Sequence, residues 1–437
     1  MDGGARMVRQ LRGLEPDMRT IHLLRKYNPD QWGGTETAVQ RLFDGLRDQG
    51  VSSVVYCPKL HQNPDSDPLG ASGHAVRRFR AFLPVLGISP QRKRQLVSVG
   101  GNLMSFDLVR ALWREPGPSL IHTHTLGRIG GIGLTIAKRR RLPFVVTIHG
   151  GVYDLPSNLK RNLSAPVEEG FEWGRLFGYL FQSHRLFQDA DAIIACNERE
   201  AGLLRKRYPA GRVVVQGHGV PLSVYRQDQR EAARSAFPAI RGKRVLLNVG
   251  RIDPIKNQRW LVTQAPEMFR KYPRALLVLA GACTNESYGE ALQKQIAGLG
   301  LEQRVLLTGG LPPNDPRLIG LFQEAEALLL PSLSETFGLV ILEAWATDTM
   351  VLSSRTSGAA SLLRNGQNGW FFDLENPESF HQALDQTLSR SDLAKELVGR
   401  GAEEVSRDYN LAVLADRMKK LYEHLIEEKN HALRDHS

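Results

Sequence analysis

The sequence predicts an α/β protein made of two doubly wound, parallel-sheet (Rossmann-like) lobes that face each other across a cleft. Three observations predict it. Short apolar runs alternate with longer amphipathic segments along the chain, the signature of repeated βαβ units. Most of these runs are continuously apolar rather than alternating, as strands covered on both faces are. The runs fall into two series, and 437 residues suffice for two separate cores.

The first series is Thr20–Leu24, Ser53–Cys57, Leu120–His124, Phe144–Ile148, Ala192–Cys196 and Val213–Gln216. A helix is expected over Thr37–Asp48. Residues 152–190 interrupt the alternation with Tyr153, Phe171, Trp173, Phe177, Tyr179 and Phe181, and are expected to form helices over the first lobe. Gly217-His-Gly-Val-Pro-Leu222 combines glycine, proline and no periodicity, and reads as a hinge. It places one domain at 1–218 and the second at 219–410. The second series is Val245–Val249, Leu276–Ala280, Val305–Thr308, Ala327–Leu330, Met350–Ser353 and Trp370–Asp373. A last helix, 411–430, is expected to pack back on the first lobe, followed by a frayed tail at His431–Ser437.

Composition narrows the class. Hydrophobic residues make up 42% and charged residues 24%, as in an ordinary globular protein. No apolar run reaches the ~18 residues of a membrane span. Met1–Gln10 lacks the apolar stretch of a secretory leader, so a cytoplasmic location is expected. Cys57, Cys196 and Cys283 are scattered, with neither metal spacing nor a disulfide framework, and are expected to be small core residues. The net charge of +11 speaks to partners rather than fold. Its densest part is Arg77-Arg-Phe-Arg80, then Phe82-Leu-Pro-Val-Leu86, then Arg92-Lys-Arg94. This Arg77–Arg94 cluster suits either attachment to anionic lipid headgroups or a solvated, irregular surface.

The most informative segment is Pro331-Ser-Leu-Ser-Glu-Thr-Phe-Gly-Leu-Val-Ile-Leu-Glu343. It places Glu335 and Glu343 eight positions apart after an apolar strand. If most of that span is helical, the carboxylates stand about 12 Å apart along the axis. That is the reach from a hexose across a diphosphate to a ribose. Asn248-Val-Gly-Arg-Ile-Asp-Pro-Ile-Lys-Asn257 opens the second series and sets Arg251 and Lys256 just past a strand. Two cations there clamp a diphosphate; the plainer reading pairs Arg251 with Asp253 and leaves Lys256 solvated. Gly33-Gly34 precedes a helix starting near Thr35, where free N–H groups and bare backbone admit a phosphate. His149 ends a strand and faces the expected crevice, suited to a substrate hydroxyl. His122 and His124 share a strand face but lack a third ligand at sensible spacing. Gly281 and Leu311 lie in loops after strands of the second series and are candidates to wrap a nucleobase. Neither a G-x-x-x-x-G-K-[ST] phosphate loop, a G-x-S-x-G elbow nor H-E-x-x-H occurs.

Together, Gly33-Gly34, His149, Gly250-Arg251 with Lys256-Asn257, and the E-x7-E motif of Glu335 and Glu343 resemble the retaining glycosyltransferases of the GT4 family, which have the GT-B fold. The stretch from Val245 to Gly369 carries the likeness most specifically. The resemblance implies that Arg251 and Lys256 hold the donor diphosphate and that Glu343 binds the ribose hydroxyls. It implies Glu335 on the transferred sugar, with the amides of Phe337, Gly338 and Leu339 against sugar and phosphate. Gly34 would approach the β-phosphate and His149 the reacting sugar. No metal and no cofactor beyond the NDP-sugar donor is implied, nor any nucleic acid. The acceptor would be a glycan, a lipid-linked saccharide or a small molecule. One segment departs from the family: Arg355-Thr-Ser-Gly-Ala-Ala-Ser361 lacks the usual second glycine and the Pro-Glu pair that follows it. Two other readings stay open, an inactive GT-B scaffold bound to anionic membranes or polymers, and a sugar-phosphate epimerase or phosphorylase.

Overall fold

The computed structural model describes residues 18–27, 32–59, 67–90, 103–149 and 171–435. The first lobe contributes β1 (Met18–Leu23), β2 (Val51–Pro58), β3 (Ala75–Phe79), β4 (Val85–Leu86), β5 (Leu120–Thr123), β6 (Phe144–Ile148), β7 (Phe171–Glu172), β8 (Ala192–Ala195) and β9 (Val213–Val215). The second contributes β10 (Arg244–Val249), β11 (Ala275–Ala280), β12 (Val305–Gly309), β13 (Ala325–Leu330), β14 (Met350–Ser354) and β15 (Trp370–Phe372). Four helices matter below: α1 (Gly34–Asp48), α2 (Gln258–Lys271), α3 (Leu339–Ala346) and α4 (Leu411–Arg434).

All twelve expected strands are present. Together with β3 they form two fully parallel sheets, ordered β3-β2-β1-β5-β6-β8-β9 and β12-β11-β10-β13-β14-β15. In each, strand order reverses once, between β1 and β5 and between β10 and β13. Helices on opposite faces diverge at such a point and leave a crevice beyond the carboxyl ends of the strands. The segments singled out in sequence leave these ends: Gly33-Gly34 and His149 in one lobe, Gly250-Arg251 and Pro331–Glu343 in the other.

Three strands escaped the sequence reading. β3 alternates exposed and half-buried residues and carries Arg77 and Arg78, the charged dress of an edge strand. This corrects the reading of the basic cluster as irregular surface. Arg77 meets Glu115 at 2.7 Å, Arg78 meets Asp67 at 3.4 Å and Arg80 meets Asp107 at 3.1 Å, so each of these cations already has a carboxylate. Arg92-Lys-Arg94 lies outside the described residues. β4 and β7 pair antiparallel over two residues, so the expected helical insertion 152–190 is only partly helical where described, with a short α-helix at Arg175–Leu180 and a 3-10 turn at Ser183–Arg185. Residues 152–170 lie outside the described set.

α4 crosses back. Its Met418, Tyr422 and Leu425 are buried against Met18, Leu46, Leu120, Val145 and Ile194 of the first lobe. Beside it, the two chain segments that run between the lobes are bonded to each other. Val220 N–H donates to Tyr409 O at 2.9 Å, and Leu411 N–H donates to Val220 O at 3.1 Å. A β-carbon at Gly219 would lie 2.8 Å from Leu411 Cα, so the crossing needs glycine there. Gly219→Ala is expected to lower stability by about 1–3 kcal/mol through overpacking. Gly399→Ala, in a helix with open space around the new methyl, is expected to be neutral or stabilising. Thermal melts of the two variants check the contrast.

Candidate active site

In the second lobe, β13 runs into the loop 331–338 and then α3. Gly338, at φ +91°, caps α3. The helix therefore starts only at Leu339, and the expected helical span from Glu335 to Glu343 is corrected: Glu335 stands in the loop, Glu343 in the helix. The loop is propped from behind. Gly358 N–H and the Ser357 hydroxyl donate to Glu335 O at 2.8 and 3.1 Å. A β-carbon on Gly358 would fall 2.6 Å from Phe337 N. The segment Arg355–Ser361, which departs from the family pattern, thus serves as a buttress to this loop. The carboxylate of Glu335 accepts from the Lys256 ammonium and, at 3.1 Å, from the Ser332 hydroxyl. Lys256 is accordingly an enclosed, paired cation and not a solvated helix start.

The turn after β10 is organised by Asp253, whose carboxylate accepts the Ile255 and Lys256 N–H groups at 3.0 Å each. Arg251 reaches the same carboxylate at 3.2 Å and stays half-exposed. Gly281 has a packing role: a β-carbon there would lie 1.9 Å from Gly250 O. Leu311 packs, half-buried, on the core of its own lobe.

In the first lobe, Gly33 caps α1. Glu36 accepts the Gly33 N–H at 3.1 Å, and the Thr37 hydroxyl donates to Gly33 O at 3.0 Å. The start of α1 meets the start of α3 across the cleft: a β-carbon on Gly34 would be 3.9 Å from Leu339 Cδ1. Two helix N-termini, each a partial positive charge, therefore come together there. Cations gather nearby. Burial pushes the Lys26 ammonium below its ordinary range, with Glu36 opposing and Arg251 and Arg25 adding to the push. Burial likewise raises the Glu36 carboxyl, against the pull of its own and Gly33's backbone N–H, Lys26 and Arg251.

A buried bridge joins the lobes. Arg41, on α1, donates to Glu343 at 2.6 Å and to the Tyr225 hydroxyl at 2.8 Å. Arg41 is 2% exposed and Glu343 5%. Glu343, expected to stand open to a ribose, is already engaged by the other lobe. Arg41 is not legible as a site residue in sequence, since a lone arginine on an amphipathic helix reads as solvated.

A row of imidazoles lines the first lobe's crevice, drawn from the ends of β1, β5 and β6. Thr20 Oγ1 lies 2.9 Å from His22 Nε2 and 3.3 Å from Ser52 O. His22 Nδ1 pairs with His124 Nε2 at 3.0 Å, and His124 Nδ1 with His149 Nε2 at 2.9 Å. The row leaves Nδ1 of His149 buried and without a hydrogen-bond partner. His122 is spent on structure, between Tyr422 Oη and Thr147 Oγ1 at 2.6 Å each. His218, from the interlobe segment, stacks on His149 at 5.3 Å. His22, Cys196 and His218 were not anticipated as site residues; each is a single residue in its own segment.

Burial holds His149 at about 4, and pushes His22, His122, His124 and His218 well below the ordinary 6.5, with neighbouring imidazoles adding to it. The folded chain keeps these rings neutral while the unfolded chain protonates them near 6.5. Below that pH the unfolded state binds more protons, so stability falls as pH falls. Urea midpoints are expected to be level from pH 7 to 8 and to decline from about 6.5 towards 4; a level profile throughout refutes the assignment. Arg41→Ala is expected to cost roughly 3–5 kcal/mol by stranding buried Glu343, and Arg41→Met with Glu343→Met to recover most of it, both read by thermal melts.

Comparison with known proteins agrees with this geometry. Residues 229–404 match the family described as Glycosyl transferases group 1, and residues 33–219 match the Glycosyl transferase 4-like domain. The D-inositol 3-phosphate glycosyltransferase of Frankia alni is 31% identical over 384 residues, 85% of this chain and 90% of that protein. The enzyme of the same name from Nocardia farcinica is 31% identical over 280 residues, 62% of this chain, and the match spans 59% of that longer protein. Among solved structures, HepE of Anabaena in complex with UDP and glucose superposes with a TM-score of 0.68 at 18% identity, over 92% of this chain and 99% of that one. On these grounds the chain belongs to the group 1 glycosyl transferases of the GT4 type and has their GT-B fold.

Proposed function

We propose that this protein transfers a hexosyl group from a nucleoside diphosphate sugar to an acceptor hydroxyl, with retention of anomeric configuration. The observation that carries the reading is the pair of helix N-termini, at Gly34 and Leu339, that meet across the cleft, with Lys26 and Arg251 near Glu36 on the first and Lys256 on Glu335 beside the second. Such an arrangement suits a diphosphate. Arg251 and Lys256 hold the phosphates, and Glu335 turns from Lys256 to the sugar hydroxyls. Glu343 takes the ribose, sharing its carboxylate with Arg41 or releasing it. The bare Nδ1 of His149 accepts a hydrogen bond from a sugar hydroxyl. The C1–O bond to the diphosphate breaks, and the acceptor oxygen bonds to C1 from the same face. Its proton passes to the departing phosphate oxygen. The cations and helix ends meet the charge that develops there, so no metal ion is needed for the step.

The names of the relatives favour a small phosphorylated polyol as acceptor. The first lobe's Arg25 and Lys26 suit its negative charge. Attachment to lipid headgroups through Arg77–Arg80 is the weaker reading, because those arginines are committed to Glu115, Asp67 and Asp107.

Lys256→Ala and Arg251→Ala are each expected to lower the transfer rate about 10²–10³-fold with the fold retained by circular dichroism; near wild-type rates in both refute the clamp. In a thermal-shift panel of UDP-, GDP- and ADP-sugars, one nucleotide sugar is expected to raise the melting temperature by mass action. NMR of the product reads the anomer. A requirement for free phosphate in place of a nucleotide would show a phosphorylase instead.

A further inference from the structure

His149, Cys196 and His218 come from three separate segments and close on one point. A ring nitrogen of each histidine and the Cys196 thiol lie within 4.8 Å of one another. Cys196 Sγ is 3.3 Å from His218 Nε2 and 3.0 Å from Ile148 O. His149 stands between the two neighbouring strands. Its Nε2 is committed to His124 on the β5 side, leaving Nδ1 as the unpartnered, buried atom. A cavity of about 30 Å³ adjoins, lined in part by His124, Thr147, His149, Gly217 and His218. It has room for a water molecule as a further ligand.

We propose that His149, Cys196 and His218 form a site for a thiophilic divalent transition metal, with zinc as the physiological case. Two imidazoles and a thiolate with a fourth position left for water make a familiar tetrahedral donor set. The row Thr20–His22–His124 supplies the outer support that such sites use: it orients the His149 ring and carries the proton on the nitrogen opposite the metal. Binding displaces the thiol proton of Cys196 to the solvent and leaves both imidazoles neutral, as the ligand role requires. The site is distinct in chemistry from the phosphate space, which offers cations rather than ligands. On the functional reading above, the metal takes the same lone pair that receives the sugar hydroxyl. Zinc then inhibits transfer in competition with the nucleotide sugar, and pins the interlobe segment at His218 to the first lobe.

The test uses the full chain, reduced and stripped of metal with a chelator. Titration with cobalt(II) is expected to give one equivalent with the intense visible bands of tetrahedral cobalt and a thiolate-to-cobalt charge-transfer band. Zinc(II) is expected to bleach both. Cys196→Ser is expected to abolish the charge-transfer band and Cys283→Ser, at an exposed cysteine, to keep it. His218→Ala, a second probe should Cys196→Ser fold poorly by thermal melt, is expected to weaken cobalt binding at least tenfold. Absence of a one-equivalent tetrahedral spectrum in the wild type, or a charge-transfer band that survives Cys196→Ser, overturns the site. Zinc inhibition that is competitive with donor and lost in Cys196→Ser supports the whole proposal. Cobalt binding without zinc inhibition upholds the site and overturns the placing of His149 on the sugar.

Discussion

The buried ion pair between Arg41 and Glu343 sets the relation of the two lobes. Each charge has left water, and either alone would be costly. They are tolerable only together, and they meet 302 residues apart in sequence. Their meeting fixes α1 against α3. Since both residues lie within about two turns of their helix starts, it also fixes where those starts point. The opposed N-termini at Gly34 and Leu339 follow from that geometry. Tyr225 completes the arrangement from the segment just beyond the interlobe crossing, so three parts of the chain must be in place before the cleft has its shape.

Burial governs the imidazole side of the site. Away from bulk water, fixed charges and dipoles act more strongly than they do in it. The same burial keeps five imidazoles uncharged, and a neutral ring offers a lone pair where a charged one would offer only donors. The cations at 25, 26, 251 and 256 and the neutral histidines thus divide the cleft into an anion-accepting part and a lone-pair-donating part.

Much of the fold was legible in sequence because buried parallel strands are continuously apolar, and all twelve such runs became strands. β3 was missed because Arg77 and Arg78 break its apolar run, as edge strands require. The glycines at 33 and 34 marked a helix start correctly, since the backbone geometry there is local, whereas Gly338 lies inside the span expected to be helical and instead caps its helix. The packing need for smallness at Gly281 was not legible, because it comes from Gly250 at the end of the neighbouring strand. Arg41 and the imidazole row were invisible for the same reason: their partners come from distant segments, and no spacing along one strand or helix encodes them. His122 and His124 appeared to lack a third partner only because His22 comes from another strand.

The position of α4 bears on how the chain matures. Met418, Tyr422 and Leu425 cover a face of the first sheet, yet they are made after the whole second lobe. During synthesis the nascent first lobe therefore carries an uncovered apolar surface at Met18, Leu46, Leu120 and Val145 for well over two hundred residues of elongation. Folding holdases would find their target there, and the lobe made first is the one completed last.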